Sequence, residues 1–232
     1  MVSTQNLARP KNAARIKRAR SAAPRPAPEL AIRRLLIYLD YLKSQDADCV
    51  SSGQIADNFG FTAIQVRKDI ACAGFAGRPK HGYSRAELIK HIEDFLGFND
   101  KMDAFLIGVG NIGRALASYG GFAKYSLNII AACDIDPRLQ GTEINGKKIF
   151  SVEKALDLIK RLKIKFAIIT VPAGQSQPSA DLLIKAGIKA IWNFSSVRLS
   201  CPPDIIVQNE DLGASLSVLS QKLLAAETQA RK

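Results

Sequence analysis

A short glycine-rich segment constrains the fold of this chain more than any other feature. Residues 108–113 are Gly-Val-Gly-Asn-Ile-Gly, directly after the apolar run 104–107 and before a segment of helical character. In this spacing the first glycine permits a tight turn, the second lets a pyrophosphate approach the backbone, and the third lets the helix pack on the strand. The pattern predicts a strand, a turn and a helix whose N-terminus faces phosphate groups.

An acidic residue after the next predicted strand completes this pattern. The strand is predicted over 127–133, and Asp134 follows it, 21 residues after Gly113, with Asp136 two residues further on. A carboxylate here binds a ribose 2′-hydroxyl and repels a 2′-phosphate, which favours NAD over NADP. Arg138 lies close by in the sequence and weakens that preference, since an arginine accommodates a 2′-phosphate.

Strands and helices alternate along the rest of this half of the chain. Strands are predicted at 166–170, 189–194 and 205–207, and helices at 114–118, 151–162, 177–186 and 212–228. Such alternation is typical of a mostly parallel sheet covered on both faces. The fold class predicted for residues 101–212 is therefore α/β, a Rossmann-type doubly wound parallel sheet, and residues 213–232 form a separate C-terminal helix.

The candidate cofactor contacts lie where these strands end, since nucleotides bind at the carboxyl edge of open α/β sheets. Residues 170–172 end one strand and residues 193–194 the next, where they could contact a nicotinamide. Alternatively, Pro172 only ends a strand and Trp192 belongs to the core. The predicted cofactor set is Gly108, Val109, Gly110, Asn111, Ile112, Gly113, Asp134, Asp136, Thr170, Val171, Pro172, Asn193 and Phe194.

The segment 29–98 has the α+β pattern of a winged helix-turn-helix domain. A first helix is predicted over 29–43, and Ser51 and Thr62 each precede a glutamine by three residues, the spacing of a capping box. Gly60 separates two short helices, and Ile64, Val66 and Ile70 are predicted to face the core of the second. Glycines in 74–83 favour a hairpin-like wing, and a fourth helix is predicted over 84–96.

Polar and basic side chains on the second of these helices suggest contact with DNA, because such groups reach base edges or phosphates from a recognition helix. The alternative is a solvated face, since residues 29–100 hold nine basic and ten acidic residues. A capping box would also occupy the amide of Gln65. The predicted DNA-binding set, within a helix-turn-helix region of about 38–77 and the wing, is Ser51, Ser52, Thr62, Gln65, Arg67, Lys68, Arg78 and Lys80.

Charge is concentrated at the N-terminus of a chain whose net charge is +12. Residues 1–28 hold seven Lys or Arg residues, four prolines and no acid, which predicts a disordered basic arm that either contacts phosphates or has no role. We expect a cytoplasmic protein, because no apolar run of 18 residues and no secretory signal is present. Four scattered cysteines and two histidines indicate neither a metal site nor a catalytic constellation.

In combination and order, these motifs resemble the Rex family of redox-sensing transcriptional repressors. The similarity runs from about residue 31 to 220, and it rests on residues 65–69, the wing ending at 82–83, the loop 108–113, and residues 134–137, 170–172, 186–188 and 192–194. It implies a homodimer that binds an A/T-rich inverted repeat of double-stranded operator DNA and is released by NADH. It also implies a C-terminal helix, about 213–228, that is exchanged between subunits, and sensing roles for Tyr119 and Asp211.

The chain departs from the family pattern at three places. Asp40 stands where the family often has an arginine that can pair with the acid matched by Asp211, and two acids cannot form that salt bridge. Residues 71–73 are smaller than usual, and the N-terminal arm is additional. Two alternatives therefore stay open: a small NAD(H)- or CoA-binding oxidoreductase-like protein, and a DNA-binding repressor that no longer responds to NADH.

Overall fold

The computed structural model describes residues 27–78 and 82–230. The chain divides into two compact units, Met1–Leu96 and Gly97–Lys232. Most of the predicted basic arm, residues 1–26, and Lys80 of the predicted wing lie outside the described residues. Within the described ranges, no helix is both long enough and apolar enough to cross a membrane.

The first unit is mainly helical. Its elements are α1 (Glu29–Lys43), β1 (Cys49–Val50), α2 (Ser52–Phe59), α3 (Ala63–Cys72), β2 (Tyr83–Ser84) and α4 (Arg85–Leu96). β1 and β2 pair antiparallel. Just before β2, Arg78 and Gly82 exchange two backbone hydrogen bonds of 2.8 and 3.1 Å, so the predicted wing has the pairing of a hairpin.

Side-chain caps set the starts of α2 and α3. Ser51 Oγ accepts from the Gln54 N–H (3.1 Å) and Gln54 Oε1 accepts from the Ser51 N–H (2.8 Å), which completes the predicted capping box. At α3, Thr62 Oγ1 accepts from the Gln65 N–H (3.2 Å), but the Gln65 side chain donates to Asp69 instead. The second box is therefore wrong in its reciprocal half, because a buried carboxylate is the stronger acceptor.

The core of the first unit contains one face of α3. Val66 and Ile70 are fully buried, as are Leu35 and Leu42 of α1. The prediction that Ile64 faces the core is wrong, since its side chain is 59% exposed. Ile64 precedes Val66 by two positions, which places the two side chains about 200° apart around a helix.

The second unit alternates strands and helices. Its elements are β3 (Met102–Ile107), α5 (Asn111–Ser118), a 3₁₀ helix (Gly120–Tyr125), β4 (Leu127–Cys133), β5 (Glu143–Ile144), β6 (Lys147–Phe150), α6 (Val152–Leu162), β7 (Phe166–Ile169), α7 (Ala173–Ala186), β8 (Ala190–Asn193), β9 (Ile206–Asn209) and α8 (Leu212–Ala230). The β5–β6 hairpin and the 3₁₀ helix were not expected from the sequence. The predicted start of α7 is wrong by four residues, because Pro178 lies inside this helix rather than near its start.

Seven strands of this unit form one sheet in the order β5-β6-β4-β3-β7-β8-β9. Every neighbouring pair is parallel except the edge pair β5–β6. Numbered along the chain, the six parallel strands follow the order 3-2-1-4-5-6 of the Rossmann fold. The predicted doubly wound sheet is confirmed, with one antiparallel edge strand added.

The side chains of β3 alternate between two cores. Phe105 and Ile107 pack with residues of α6 and α7, whereas Ala104 and Leu106 pack with residues of α5 and the 3₁₀ helix. Both faces of the sheet are therefore covered. The strand order reverses between β3 and β7, and this reversal opens a crevice at their carboxyl ends.

Candidate functional site

A cavity of about 690 Å³ lies in this crevice. It is bounded by the turns that follow β3, β4, β7 and β8 and by the helices α6 and α7. Nine of the predicted cofactor residues line it: Gly108, Gly110, Asn111, Ile112, Asp134, Thr170, Val171, Pro172 and Phe194. The tertiary structure thus brings together residues from four separate motifs of the sequence.

Two glycines of the loop allow it to lie against β7. Gly108 has φ +91°, and a Cβ added there would lie 2.9 Å from Val171 Cγ1. A Cβ on Gly113 would collide with the carbonyl oxygen of Gly108 and lie 2.8 Å from Thr170 Oγ1. That hydroxyl donates to the Gly108 carbonyl (2.7 Å). A side chain at either glycine would therefore push the loop away from the end of β7.

Gly110 differs from the other two glycines, because an added Cβ would meet nothing within 4 Å and its φ of −73° is ordinary. In α5, the Arg114 N–H bonds to the Gly110 carbonyl (2.9 Å). Within the described part of the chain, the N–H groups of Asn111, Ile112 and Gly113 have no acceptor. Free N–H groups and the helix dipole make this end of α5 a site for an anion.

Asp134 connects the loop to the end of β4. Its Oδ2 accepts from the Val109 N–H (2.7 Å) and its Oδ1 from the Asp136 N–H (2.9 Å). Each carboxylate oxygen has two acceptor positions, so one on each remains for a hydroxyl donor. Asp134 lines the cavity and is only partly buried. The carboxylate can therefore hold the loop in place and accept from a ribose at the same time.

Asp136 is paired with Arg138. The carboxylate accepts from Arg138 Nε (3.0 and 3.2 Å), from Nη2 (2.8 Å) and from the Arg138 backbone N–H (3.0 Å). Hydrogen bonding by the guanidinium lowers the pKa of Asp136 to about 2. Asp136 lies outside the cavity wall. Its predicted contact with a cofactor stays a prediction.

Asn193 is buried and has a full set of hydrogen bonds. Its Nδ2 donates to the Val197 carbonyl (2.8 Å) and to Asn209 Oδ1 (2.9 Å), while its Oδ1 accepts from the N–H (3.1 Å) and the hydroxyl (2.7 Å) of Ser195. These four bonds use the whole capacity of the amide. Ser195 lines the cavity but Asn193 does not. The structure thus places Asn193 behind the wall, where it supports the turn after β8.

The apolar half of the cavity was not predicted from the sequence. Val152 and Leu156 of α6 and Leu182 of α7 line it. Helical periodicity marks such residues only as inward-facing, because it cannot distinguish a cavity wall from a filled core. Cys133 also lines the cavity, and burial together with the charges of Asp134 and Glu153 raises the pKa of its thiol to about 12.

The two predicted sensing residues lie apart from the glycine loop. Tyr119 is 58% exposed and packs edge-on against Phe122, whose ring contacts Trp192. Trp192 contacts Phe194 on the cavity wall and donates from Nε1 to Glu210 Oε1 (2.8 Å). The Asp211 carboxylate accepts from the Ala214 N–H (2.9 Å), which caps α8. The sensing roles of Tyr119 and Asp211 stay predictions.

The described DNA-binding candidates lie at the start of α2, along the first six residues of α3 and the residue before it, and in the wing. The side chains of Ser51, Thr62, Arg67, Lys68 and Arg78 are exposed. Arg67 Nη1 donates to the hydroxyl of the half-buried Ser52 (3.2 Å), which links the two helices of the helix-turn-helix. The helix-turn-helix and the wing thus present basic and hydroxyl groups to solvent.

A buried carboxylate that was not predicted from the sequence holds α3 against α1. Asp69 is 2% exposed and accepts from Arg34 (2.7 and 2.9 Å), from the Tyr38 hydroxyl (2.9 Å) and from Gln65 Nε2 (2.9 Å). Burial raises the pKa of Asp69, but hydrogen bonds from Arg34, Tyr38 and Gln65 outweigh it, so the pKa lies below its ordinary value. The amide of Gln65, a predicted groove contact, is thereby held inside the unit.

Comparison with known proteins gives matches for both units. One family model, a putative DNA-binding protein N-terminus, matches residues 27–71, and a CoA binding domain matches residues 99–197. The redox-sensing transcriptional repressor Rex of Treponema denticola is 42% identical over 192 residues, 82% of this chain and 91% of that protein. Rex of Bacteroides thetaiotaomicron is 39% identical over 199 residues, 84% and 90%. The chain belongs to the Rex family.

Solved structures of another Rex-family repressor, RSP, have the same fold. RSP in complex with β-NAD⁺ and operator DNA superimposes with a TM-score of 0.82 at 36% identity, over 89% of this chain and 97% of that one. RSP in complex with β-NADH gives a TM-score of 0.78 at 36% identity, over 89% and 99%. The Rex-family resemblance inferred from the motifs is confirmed.

Proposed function

We propose that this Rex-family chain is a redox-sensing repressor that binds operator DNA with its first unit and NAD(H) with its second, and that NADH releases the DNA. The observation that carries the proposal is the open space over Gly110. There the free N–H groups of α5 face the cavity, and Asp134 offers an acceptor nearby. A phosphate group and a ribose need these two features in this arrangement.

The residues present fit a dinucleotide. The pyrophosphate would be held by the N–H groups at the start of α5, and a ribose by Asp134. The apolar wall from α6 and α7 suits the flat face of a base. A bound nicotinamide would be either oxidised or reduced, and the repressor would respond to the difference between these two states.

Release of DNA by NADH requires two conformations with different affinities for NADH, because a ligand shifts an equilibrium only through such a difference. Hydroxyl groups at the starts of α2 and α3, and basic groups of α3, contact the operator in the DNA-binding conformation. A change in the spacing of two such units would place one of them out of register with its half-site. An A/T-rich inverted repeat is the operator that we propose.

A second copy of the chain is the proposed partner in solution, with α8 exchanged between subunits. Leu216, Leu219 and Leu223 lie on α8 with 63%, 64% and 59% of their side chains exposed. Such an apolar stripe in water is unfavourable for a monomer. A homodimer would also match the two-fold symmetry of an inverted repeat. Bound to its operator, the protein would lie in the cytoplasm.

Hydride-transfer catalysis is the less favoured function for this cavity. Cys133 and Asp134 are the titratable groups on the described cavity wall. With a pKa of about 12 the Cys133 thiol is a poor proton donor near neutral pH, and the Asp134 carboxylate is proposed to accept hydrogen bonds from the loop and from a ribose. The relatives are likewise transcriptional repressors.

The test is binding of the full chain to an A/T-rich inverted repeat while NADH or NAD⁺ is titrated. We expect NADH to weaken DNA binding and NAD⁺ to have a much smaller effect. Equal DNA affinity with both cofactors would reject redox sensing but leave a DNA-binding repressor. This outcome needs a test because Asp40 stands where the family often has an arginine. Steady oxidation of NADH with a carbonyl substrate would favour the enzyme instead.

A further inference from the structure

A tight turn after β4 forms one rim of the cavity. Asp134 and Ile135 line the cavity, and Asp134 Oδ1 accepts from the backbone N–H of Asp136 (2.9 Å). The turn closes where the Leu139 N–H bonds to the Asp136 carbonyl (3.0 Å) and Gln140 Nε2 donates to the Asp134 carbonyl (3.0 Å). Residues 134–140 therefore keep a defined shape beside the predicted ribose position.

This turn carries an arginine whose charge is already paired. The guanidinium of Arg138 is bidentate on the Asp136 carboxylate, with contacts between 2.8 and 3.2 Å. The Arg138 side chain is 88% exposed, whereas that of Asp136 is 29% exposed. The backbone N–H of Arg138 also donates to Asp136 Oδ1, so the carboxylate is held in place before the guanidinium binds it. The anion is the fixed partner of this pair and the cation is the mobile one.

An arginine near this position is what accommodates the 2′-phosphate of NADP, and an acid is what rejects it. We propose that Asp136 sets the preference for NAD(H) over NADP(H) by holding Arg138 as an internal counterion; this rests on the proposed NAD(H) site. Asp134 accepts a hydrogen bond from the ribose. Asp136 keeps the Arg138 guanidinium from binding a 2′-phosphate, and its own negative charge repels that phosphate.

Asp134 and Asp136 have different roles in this proposal, although both fit the acidic position of the sequence pattern. Asp134 also anchors the glycine loop through the Val109 N–H, so its removal would weaken every dinucleotide. The Asp136 side chain makes no such bond to the loop, and the hydrogen-bond donors to its carboxylate are all in residue 138. Changing Asp136 should therefore alter the choice between NADH and NADPH more than the binding of NADH itself.

The experiment measures the dissociation constants of NADH and NADPH by the fluorescence of the bound dihydronicotinamide, for the full chain and three variants. Asp136→Asn keeps an oxygen for the Arg138 N–H but removes the charge, so the turn is retained. One exposed charge contact changes an equilibrium constant by up to about fivefold. Since the change frees a cation and removes an anion, the NADPH-to-NADH affinity ratio should rise about tenfold.

The double variant Asp136→Asn/Arg138→Ala should keep only the part of the gain that comes from the removed anion, about threefold, and Arg138→Ala alone should bind NADH like the unaltered chain. The proposal is overturned if Asp136→Asn changes both affinities equally, if the full gain survives removal of Arg138, or if the unaltered chain binds NADPH as tightly as NADH. An unaltered chain that binds neither dinucleotide would instead reject the proposed function.

Discussion

Gly110→Val separates cofactor binding from folding in this chain. The φ of −73° at Gly110 is accessible to valine, the backbone there is extended, and an added Cβ has no neighbour within 4 Å. The new side chain projects into the space over the free N–H groups of α5. Gly110 is the N-cap of α5, and loss of glycine at an N-cap costs up to about 1 kcal/mol of stability. The variant should therefore fold.

The expected loss of binding is much larger than this loss of stability. A pyrophosphate at the start of α5 would accept hydrogen bonds from free N–H groups of residues 111–113. A hydrogen bond to a charged group contributes about 1.5–3 kcal/mol, so losing about two of them costs about 3–6 kcal/mol. The dissociation constant for NADH should rise by about 10²–10⁴-fold.

Three measurements test this prediction together. NADH titration should show the loss of affinity, and operator binding without cofactor should match that of the unaltered chain. NADH at about 100 times its dissociation constant should stabilise the unaltered chain by about 2.7 kcal/mol, and the same concentration should leave the melting temperature of the variant nearly unchanged.

Two further glycine variants are controls. Gly120→Ala should behave like the unaltered chain, because Gly120 has open space for a Cβ and lies outside the cavity wall. Gly113→Ala should fail to fold normally, because its Cβ would collide with the Gly108 carbonyl oxygen. A folded Gly110→Val protein that binds NADH within about threefold of the unaltered chain would refute the phosphate site at α5.

Three other variants test the remaining structural claims. Asp69→Asn should destabilise the first unit by about 3 kcal/mol in urea unfolding, since it leaves Arg34 without its buried partner. The pKa of Asp69 is lower in the folded than in the unfolded protein, so its contribution to stability is present above the unfolded pKa and is lost as pH falls through the folded pKa. The stability difference between Asp69→Asn and the unaltered chain should therefore shrink in acid. A difference that stays constant with pH would contradict the role given to the Asp69 carboxylate. Lys68 lies on the exposed face of α3, so Lys68→Ala should keep full stability but weaken operator binding. The salt dependence of operator binding should fall by about one phosphate contact. Normal DNA binding by this variant would count against α3 as the recognition helix. Asn193→Ala should cost about 2–3 kcal/mol in stability and also weaken NADH binding through the Ser195 turn, whereas a purely structural role would leave the affinity of the folded protein unchanged.

Much of the architecture could be predicted because its signals are local. The capping box at Ser51, the left-handed turn at Gly60 and the alternation of apolar strands with helices each depend on residues a few positions apart. The glycine loop is also local, since the Cβ clash at Gly113 involves Gly108 on the same turn. The unexpected β5–β6 hairpin has two-residue and four-residue strands, too short for a period to be recognised.

The partners of buried polar groups could not be predicted in this way. Asp69 bonds to Arg34, 35 positions earlier, and Asn193 to Asn209, 16 positions later. Gln65 and Asn193 were predicted to contact ligands, and those contacts stay predictions; in the fold both amides bond to other side chains. The reason is that a buried polar group takes the acceptors and donors that packing brings to it, and packing depends on residues distant in the chain.

The sequence alone thus determined the order of elements, the two-unit organisation and the position of the nucleotide loop, because caps, glycine conformations and hydrophobic periods act over a few residues. Only the tertiary structure decided which residues meet in the cavity, because the reversal between β3 and β7 joins segments more than 60 positions apart, as Thr170 and Gly108 show. It also decided that Asp134 faces the cavity while Asp136 pairs with Arg138. Two acids two positions apart look equivalent in sequence, and the turn that separates them forms only when the chain folds.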